Sequence, residues 1–468
     1  MSRIVNGKVD VLVVGGGITG AGVARDAAMR GLSTLLVEQS DFASGTSSRS
    51  SRLLHGGLRY LAQGHIGLVR EASHEKMRLS RIAPHLSDPL RFYFPVWKGD
   101  AWPRWMLAIG VHVYDSLCGG RNLGQSKSHS PASMREEVPG LRQAGLTGGV
   151  SYFDALTNDA RLVIDTLRSA ANAGATVYNY AKFVSATRSG VEWDCEVRDE
   201  ESGEAAGIHA ASVVNAAGAW AQTIPHSSVR LRLTKGVHLV INRSLLPVDG
   251  AVVLSEGQRI LFVIPWGERV ILGTTDTDYE GDLANVRTAP ADIDYILRVI
   301  NKGFPGATIR YDHLISTWAG VRPLIAPRRT ASGSPSDLSR HHEIRMPEPG
   351  WFDVAGGKLT TYRLMAEQVV DRIGRYLTRT LAPSRTSQVP LTEGVAGVQY
   401  SGILPPPVEA AVVRHCCRNE WARRLDDFLV RRTSWHYYYP SQSGIAEEAS
   451  RWMAAELGWN EEQRLAEL

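Results

Sequence analysis

A short, mostly apolar run from Val9 to Val14 stops at glycine, as a buried strand does. Ala21 to Met29 is rich in helix-compatible residues and Gly31 can end that helix, while Leu32 to Val37 reads as a second strand with Glu38 at its end. Residues 65–83 have helical spacing, with Arg70, Glu71, Glu75, Lys76, Arg78 and Arg81 on one side. Residues 116–150 are glycine-rich and read as irregular, and 151–188 read as a loop, an amphipathic helix, a stop at Gly174 and a strand. Alternation over 191–214 predicts hairpin strands, and Val213 to Trp220 predicts a strand entering a small-residue turn. LRLTKGVHLVI, RILFVIPW and RVILGTTD within 229–280 predict an antiparallel sheet. Asp292 to Lys302 reads as a helix, and DVAGGKLTTYRLMAEQVVDRI as strand, glycine turn and helix. Beyond about 380 the chain reads as a linker stiffened by Pro405 to Pro407. A basic helix follows, whose arginines form a solvated face paired with Asp426 and Asp427.

The first strand–helix–strand unit carries Gly15, Gly17 and Gly20 as G-x-G-x-x-G. The glycines permit a tight turn, close approach of backbone to a pyrophosphate and close helix–strand packing. The helix N-terminus offers free N–H groups and a positive dipole end to phosphate. Glu38, eighteen residues after Gly20, can accept hydrogen bonds from both ribose hydroxyls. An acid there disfavours a 2′-phosphate, so FAD or NAD is preferred over NADP.

Composition narrows the picture only modestly. The 468 residues suffice for about two or three domains. With 43% hydrophobic and 21% charged residues, the chain can bury a sizeable core. A formal charge of +4 does not suggest nucleic acid, and the 4 cysteines form no C-x-x-C, so neither a zinc site nor a disulfide framework is indicated. A reducing compartment fits. No signal peptide or spanning run is visible, so any membrane contact is peripheral. Asp276, Asp278 and Asp282 hint at a calcium loop, but Arg287 stands where its closing glutamate belongs. GGK at 356–358 is no P-loop, because position 352 is Phe352. No metal site is expected.

Two further stretches hold candidate chemistry. Between Ala43 and Ser51, hydroxyls crowd the chain, and Thr46, Ser47 and Ser48 can satisfy a phosphate or a polar ring edge. His55, Arg59 and Tyr60 then flank two glycines that let backbone lie against something flat. Within Pro95 to Asp115, three tryptophans stand near Lys98 and Arg104. That pattern suits either a core helix after a loop or a membrane interface.

The opening fingerprint, TSSRSSRLLHGGLRYL, NAAGAW at 215–220, GTTD at 273–276, GVRPL at 320–324 and GGKLTTY at 356–362 resemble the FAD-dependent, quinone-reducing glycerol-3-phosphate dehydrogenases. The resemblance runs from about residue 9 to 380, with the motifs in the family's order. It implies an α/β architecture: a Rossmann-like FAD-binding domain, an inserted antiparallel-sheet substrate domain and a shortened C-terminal helical cap. The nucleotide-binding segments fall at about 1–90, 151–225 and 315–380, the substrate segments at about 91–150 and 226–314, and the linker and cap at 381–468. Asn158 stands where the family has the first of two acids before ARL.

The implied cofactor is non-covalent FAD, held by Gly15, Gly17, Gly20, Glu38, Thr46, Ser47, Ser48, Gly218, Gly357, Lys358, Leu359 and Thr360. The implied substrate is sn-glycerol 3-phosphate. Arg59, Tyr60, Arg322 and Lys358 are its candidate ligands, since a guanidinium fork suits a phosphate dianion. His55 and His238 are both candidates for the base that takes the C2 hydroxyl proton, and which of them serves is left open. The implied acceptor is a quinone. The implied location is cytoplasmic, with peripheral contact to an anionic membrane and a homodimer both compatible. Two other readings stand beside this one: an FAD-dependent oxidase or dehydrogenase of another hydroxy or amino acid, and a flavin-binding protein without catalysis.

Overall fold

The computed structural model describes residues 4, 6–62, 64–119, 122–257, 259–326, 341–441 and 444–468, and of Arg59 and Ala62 the backbone only. The first strand β1 (Gly7–Val14), helix α1 (Ile18–Met29) and strand β2 (Thr34–Val37) form the expected unit, with Val11 to Val14 in parallel register against Thr34 to Val37. Period-two alternation decides what each side of β1 buries. Val11 and Val13 pack with α1 and the helices Asp159–Asn172 and Tyr362–Tyr376, whereas Leu12 and Val14 pack with Trp193, Trp351 and Phe183 on the opposite face.

Five strands run parallel in the order Trp351–Gly356, Ala205–Asn215, β1, β2 and Thr176–Tyr178. Helices on one face and an antiparallel meander through Ala181–Ser189 and Glu192–Asp199 give the sheet its two covers. This is the α/β, Rossmann-like arrangement expected. Asn158 caps the helix Asp159–Asn172, its side chain accepting from Arg161 N at 3.3 Å, so the amide does the capping work of an acid there.

A second sheet, of ten strands among the described residues, is antiparallel except where Asp88–Trp97 runs parallel to Ala251–Glu256, with Ala251 opposite Phe92. The stretch expected to be irregular, 116–150, contains the helix Pro131–Glu137 and the start of an eleven-residue strand, Leu146–Leu156. That strand's glycines are close-packing positions: a Cβ on Gly149 would lie 2.4 Å from the Phe94 carbonyl oxygen. Leu53–Leu54 and Leu314–Ile325, expected with the nucleotide-binding segments, are hydrogen bonded into the second sheet instead.

The C-terminal region departs furthest from expectation. The stretch expected to be a linker is docked: Leu391 is fully buried in the nucleotide-side core, and its N–H donates to the Ile82 carbonyl at 2.8 Å. The expected basic helix is broken into a helix Ala410–Asn419, an irregular turn and a π-helical stretch Asp427–Arg432. Arg431 and Arg432 are buried rather than solvated. Both ion-pair with Asp41, which lies shortly after β2. Among the described residues the helices Trp435–Tyr438, Ile445–Leu457 and Glu461–Glu467 follow.

Candidate functional site

Glycine is required at the turn after β1. Gly15 has φ of +112°, and a Cβ there would lie 2.7 Å from the Ala216 carbonyl oxygen. On Gly20 it would lie 1.9 Å from the Gly15 oxygen. The turn opens a cavity of about 220 Å³ lined by Gly15, Gly17, Glu38, Thr46, Ser47, Gly218 and Gly357 to Leu359. A glycine turn, a carboxylate beside it and a second glycine turn before a helix, all lining one cavity, fit a dinucleotide such as FAD.

Not every expected cofactor residue faces this cavity in the same way. Glu38 already accepts from the Gly16 and Ser40 N–H groups at 2.8 and 3.0 Å, which holds it at the end of β2. The Ser47 hydroxyl accepts the Ile18 N–H at 3.1 Å, and the Thr46 hydroxyl donates to the Val321 carbonyl at 2.6 Å. Ser48 is buried, and its hydroxyl has no hydrogen-bond partner among the described residues. Gly20 and Thr360 do not line the cavity. Gly20 serves the turn. The Thr360 hydroxyl meets both the N–H of His55, at 3.1 Å, and its carbonyl, at 3.3 Å.

Beside this lies a second cavity of about 140 Å³, into which Ser51, His55, Tyr60, Asp154, Arg259 and Arg322 all face, with Thr274 and Asp276 on one wall. Lys358 stands at the junction of the two. It lines the first cavity, and its Nζ lies 3.3 Å from the Gly56 carbonyl oxygen and 4.2 Å from the Tyr60 ring centre. Arg322 is aimed by three acceptors: the Thr274 hydroxyl at 2.9 Å, the Thr275 carbonyl at 3.2 Å and Asp276 Oδ1 at 3.3 Å. Gly236 makes room for it, since a Cβ there would meet Arg322 Nη2 at 2.4 Å. The side chain of Arg59 lies outside the described residues; its backbone begins the short helix Arg59–Ala62.

The two histidines differ in placement. His55 lines the cavity, whereas His238 stands one hydrogen bond behind it, with Nε2 2.8 Å from the Ser51 hydroxyl. The His238 ring stacks on Trp318 at 5.1 Å and is fully surrounded. Burial, and after it the charges of Arg322 and Arg52, push its pKa down to about 3. Arg259, Asp154, Ser51 and Gly236 were not singled out from the sequence. Each is an ordinary strand or loop residue locally, and only the crossing of the second sheet brings them together. Among the described residues, no group of three or more His, Cys, Asp or Glu could hold a metal ion.

A third cavity, about 260 Å³ and mainly apolar, adjoins the second and shares Leu58, Tyr152 and Ile260 with it. Its outer wall is the helix Arg104–Leu117, which divides the two readings of this stretch between its faces. Val111 and Tyr114 are buried, while Trp105 is 67% and Ile109 59% exposed, with Val113 on the same stripe. Trp97 belongs to the core. No helix among the described residues is long and apolar enough to cross a membrane.

The chain matches the FAD dependent oxidoreductase family over residues 10–372 and the C-terminal domain of alpha-glycerophosphate oxidase over 403–464. Glycerol-3-phosphate dehydrogenase of Mycobacterium leprae is 37% identical across 97% of this chain and 86% of its own. Glycerol-3-phosphate dehydrogenase 2 of Mycobacterium tuberculosis is 41% identical across 98% and 86%. Among solved structures, glycerol-3-phosphate dehydrogenase from Bacillus halodurans complexed with FAD superposes with a TM-score of 0.77 at 29% identity, covering 98% of this chain and 92% of that one.

Proposed function

The chain belongs to the FAD-dependent glycerol-3-phosphate dehydrogenase family, and from that premise we propose that it oxidises sn-glycerol 3-phosphate to dihydroxyacetone phosphate and passes the electrons to a quinone. It is an FAD-dependent oxidoreductase, and FAD when bound supplies the acceptor for the hydride that leaves C2. The observation that carries the substrate reading is the convergence of His55 and Arg322 on one small cavity, with Lys358 between that cavity and the dinucleotide site.

In this reading Arg322 takes the phosphate. Its fork suits two phosphate oxygens, and the Thr274–Asp276 wall fixes its direction. Tyr60 and Arg259 complete the polar surround. His55 accepts the C2 hydroxyl proton as the C–H bond breaks, because it faces the cavity and its backbone is fixed at both ends by Thr360. His238 is disfavoured for that role, since its surroundings oppose a positive ring. Lys358 places a positive charge where negative charge gathers at the junction.

The apolar third cavity supports an apolar acceptor arriving next to the substrate. The exposed Trp105–Ile109 stripe, with exposed Lys98 and Arg104 nearby, supports peripheral contact with an anionic cytoplasmic leaflet. The test is an anaerobic flavin-bleaching screen with glycerol 3-phosphate, glycerol, 2-hydroxyglutarate and amino acids, followed by reoxidation with a soluble quinone or with oxygen. Bleaching by glycerol 3-phosphate and faster reoxidation by quinone are expected. Bleaching by an amino acid alone would refute the substrate, and equal or faster reoxidation by oxygen would refute the acceptor.

A further inference from the structure

The turn that carries His55 is gripped on a second side by groups with no part in the chemistry above. The Gly56 N–H donates to the Tyr114 hydroxyl at 2.8 Å, and that hydroxyl donates in turn to Asp154 Oδ1. Lys76 Nζ donates to the same Oδ1 at 2.8 Å, and to Asn122 Oδ1 at 2.9 Å and the Phe153 carbonyl at 3.1 Å. Lys76, Tyr114 and Asp154 come from three separate elements, and all three are buried. The fit is close: a Cβ on Gly56 would sit 2.6 Å from the Tyr114 hydroxyl oxygen. Across the turn, Lys358 and Thr360 hold the Gly56 carbonyl and the His55 backbone. The histidine is therefore suspended between the closing motif of the dinucleotide fold and a network that joins two helices to Asp154 of the second sheet.

Asp154 has a second consequence. It lines the cavity assigned to the phosphate substrate, where a bare carboxylate repels a dianion. Lys76 reaches it from behind, through the protein rather than through the cavity. A buried carboxylate and ammonium in contact cancel at a distance, while removal of either leaves a charge the interior does not solvate.

We propose that Tyr114, Asp154 and Lys76 are positioning residues: they fix the Gly56 peptide, and so His55, and they keep one wall of the substrate cavity electrically neutral toward a dianion. The inference rests on the reading of that cavity as the glycerol 3-phosphate site. Tyr114 lies on the buried face of the helix that exposes Trp105 and Ile109, so the same helix braces the turn inward.

Three variants of the FAD-loaded enzyme test it by anaerobic bleaching kinetics. Tyr114→Phe keeps the ring and both charges but strands the Gly56 N–H. Its bleaching rate at saturating glycerol 3-phosphate should fall on the order of tenfold, with half-saturation changed less than about twofold. Lys76→Met should raise half-saturation for glycerol 3-phosphate on the order of tenfold and change glycerol much less. Lys76→Met/Asp154→Asn should recover most of that loss, a rescue that a role in packing alone does not predict. Parental kinetics in Tyr114→Phe, or a double variant as poor as Lys76→Met, overturns the inference. The Tyr114→Phe arm stands by itself if Lys76→Met fails to load FAD. The unsubstituted enzyme separates the two readings: if glycerol 3-phosphate does not bleach its flavin, the substrate reading and the charge-compensation arm fall together, whereas normal bleaching in all variants overturns only the positioning role.

Discussion

Arg432 grips Asp41 with its two terminal guanidinium nitrogens, each 2.7 Å from a different carboxylate oxygen. Asp41 lies in the loop between Glu38 and Thr46, so the C-terminal region reaches into the segment that borders the dinucleotide cavity. Arg431 pairs with the same carboxylate and, at 2.7 Å, with Asp427, whose Oδ1 also accepts from the Tyr180 hydroxyl at 2.6 Å. Burial pushes the Asp41 carboxyl up, but Arg432 and Arg431 outweigh it and hold its pKa at about 2.

Asp41→Asn would leave the buried Arg432 guanidinium without its carboxylate and Arg431 with Asp426 and Asp427 alone. Removing one partner of a buried pair typically costs about 3–5 kcal/mol, so a large drop in melting temperature and loss of FAD on gel filtration are expected. A variant that melts with the parent and stays yellow would show that the fork is dispensable. Arg432→Lys should also destabilise, because an ammonium cannot bond both Asp41 oxygens in one plane.

Arg322→Ala should lower kcat/KM for glycerol 3-phosphate tenfold to a hundredfold or more, from roughly 1.5–3 kcal/mol per hydrogen bond to a charged group. Arg322→Lys should recover only part. Glycerol oxidation, where measurable, should change far less. Equal losses for the two substrates would mean that Arg322 supports the flavin or the Thr274–Asp276 wall and not the phosphate.

His238 makes stability depend on pH in a defined direction. Its folded pKa is depressed to about 3, below an unfolded value of about 6.5. The unfolded chain therefore binds a proton that the folded one refuses over that interval. The contribution is fully present above about pH 6.5 and is lost toward pH 3, at roughly 1.4 kcal/mol per pH unit in the middle of the window. Urea midpoints of the parent and His238→Gln between pH 4.5 and 7.5 read this directly, and the variant should show the shallower decline. Parallel slopes would place the acid sensitivity elsewhere.

The parent protein should co-sediment with vesicles containing phosphatidylglycerol at low salt, with each exposed Lys or Arg adding about 1 kcal/mol. Trp105→Asn/Ile109→Asn should sediment far less while its flavin still bleaches at the parental rate. Failure of the parent to sediment even at low salt would refute the membrane contact.

Much of the nucleotide-binding half was legible because its signals are local. A strand followed by Gly15, a helix and a strand followed by Glu38 lie within one short window, and period-two burial in β1 follows from Val11 to Val14 alone. The substrate cavity was legible only in part. His55 and Arg322 sit in recognisable motifs, but Asp154 and Arg259 gain meaning only from the pairing of distant strands. The C-terminal arginines misled for the same reason. Asp426 and Asp427 are near neighbours in sequence, so a solvated face looked sufficient, yet the partner that buries Arg432 is Asp41 at the far end of the chain. Leu391 shows the limit from the other side: a proline-rich, polar stretch hides one anchor that docks the whole segment.

The parallel sheet draws its neighbours from far apart in the chain, with β1 beside Ala205–Asn215 and Trp351–Gly356 completing the row. A ribosome delivers these pieces in order. At ~5–20 residues per second, the glycine turn waits tens of seconds for the strand and the Gly357–Leu359 turn that close its cavity. During that wait the edge of β1 lacks a partner until Ala205–Asn215 emerges, and the edge of Ala205–Asn215 then lacks Trp351–Gly356, and exposed apolar strand edges of this kind are what chaperones bind. Flavin capture thus belongs to the end of synthesis: a nascent chain arrested before Trp351 should retain no flavin however much is supplied, while a released full-length chain should.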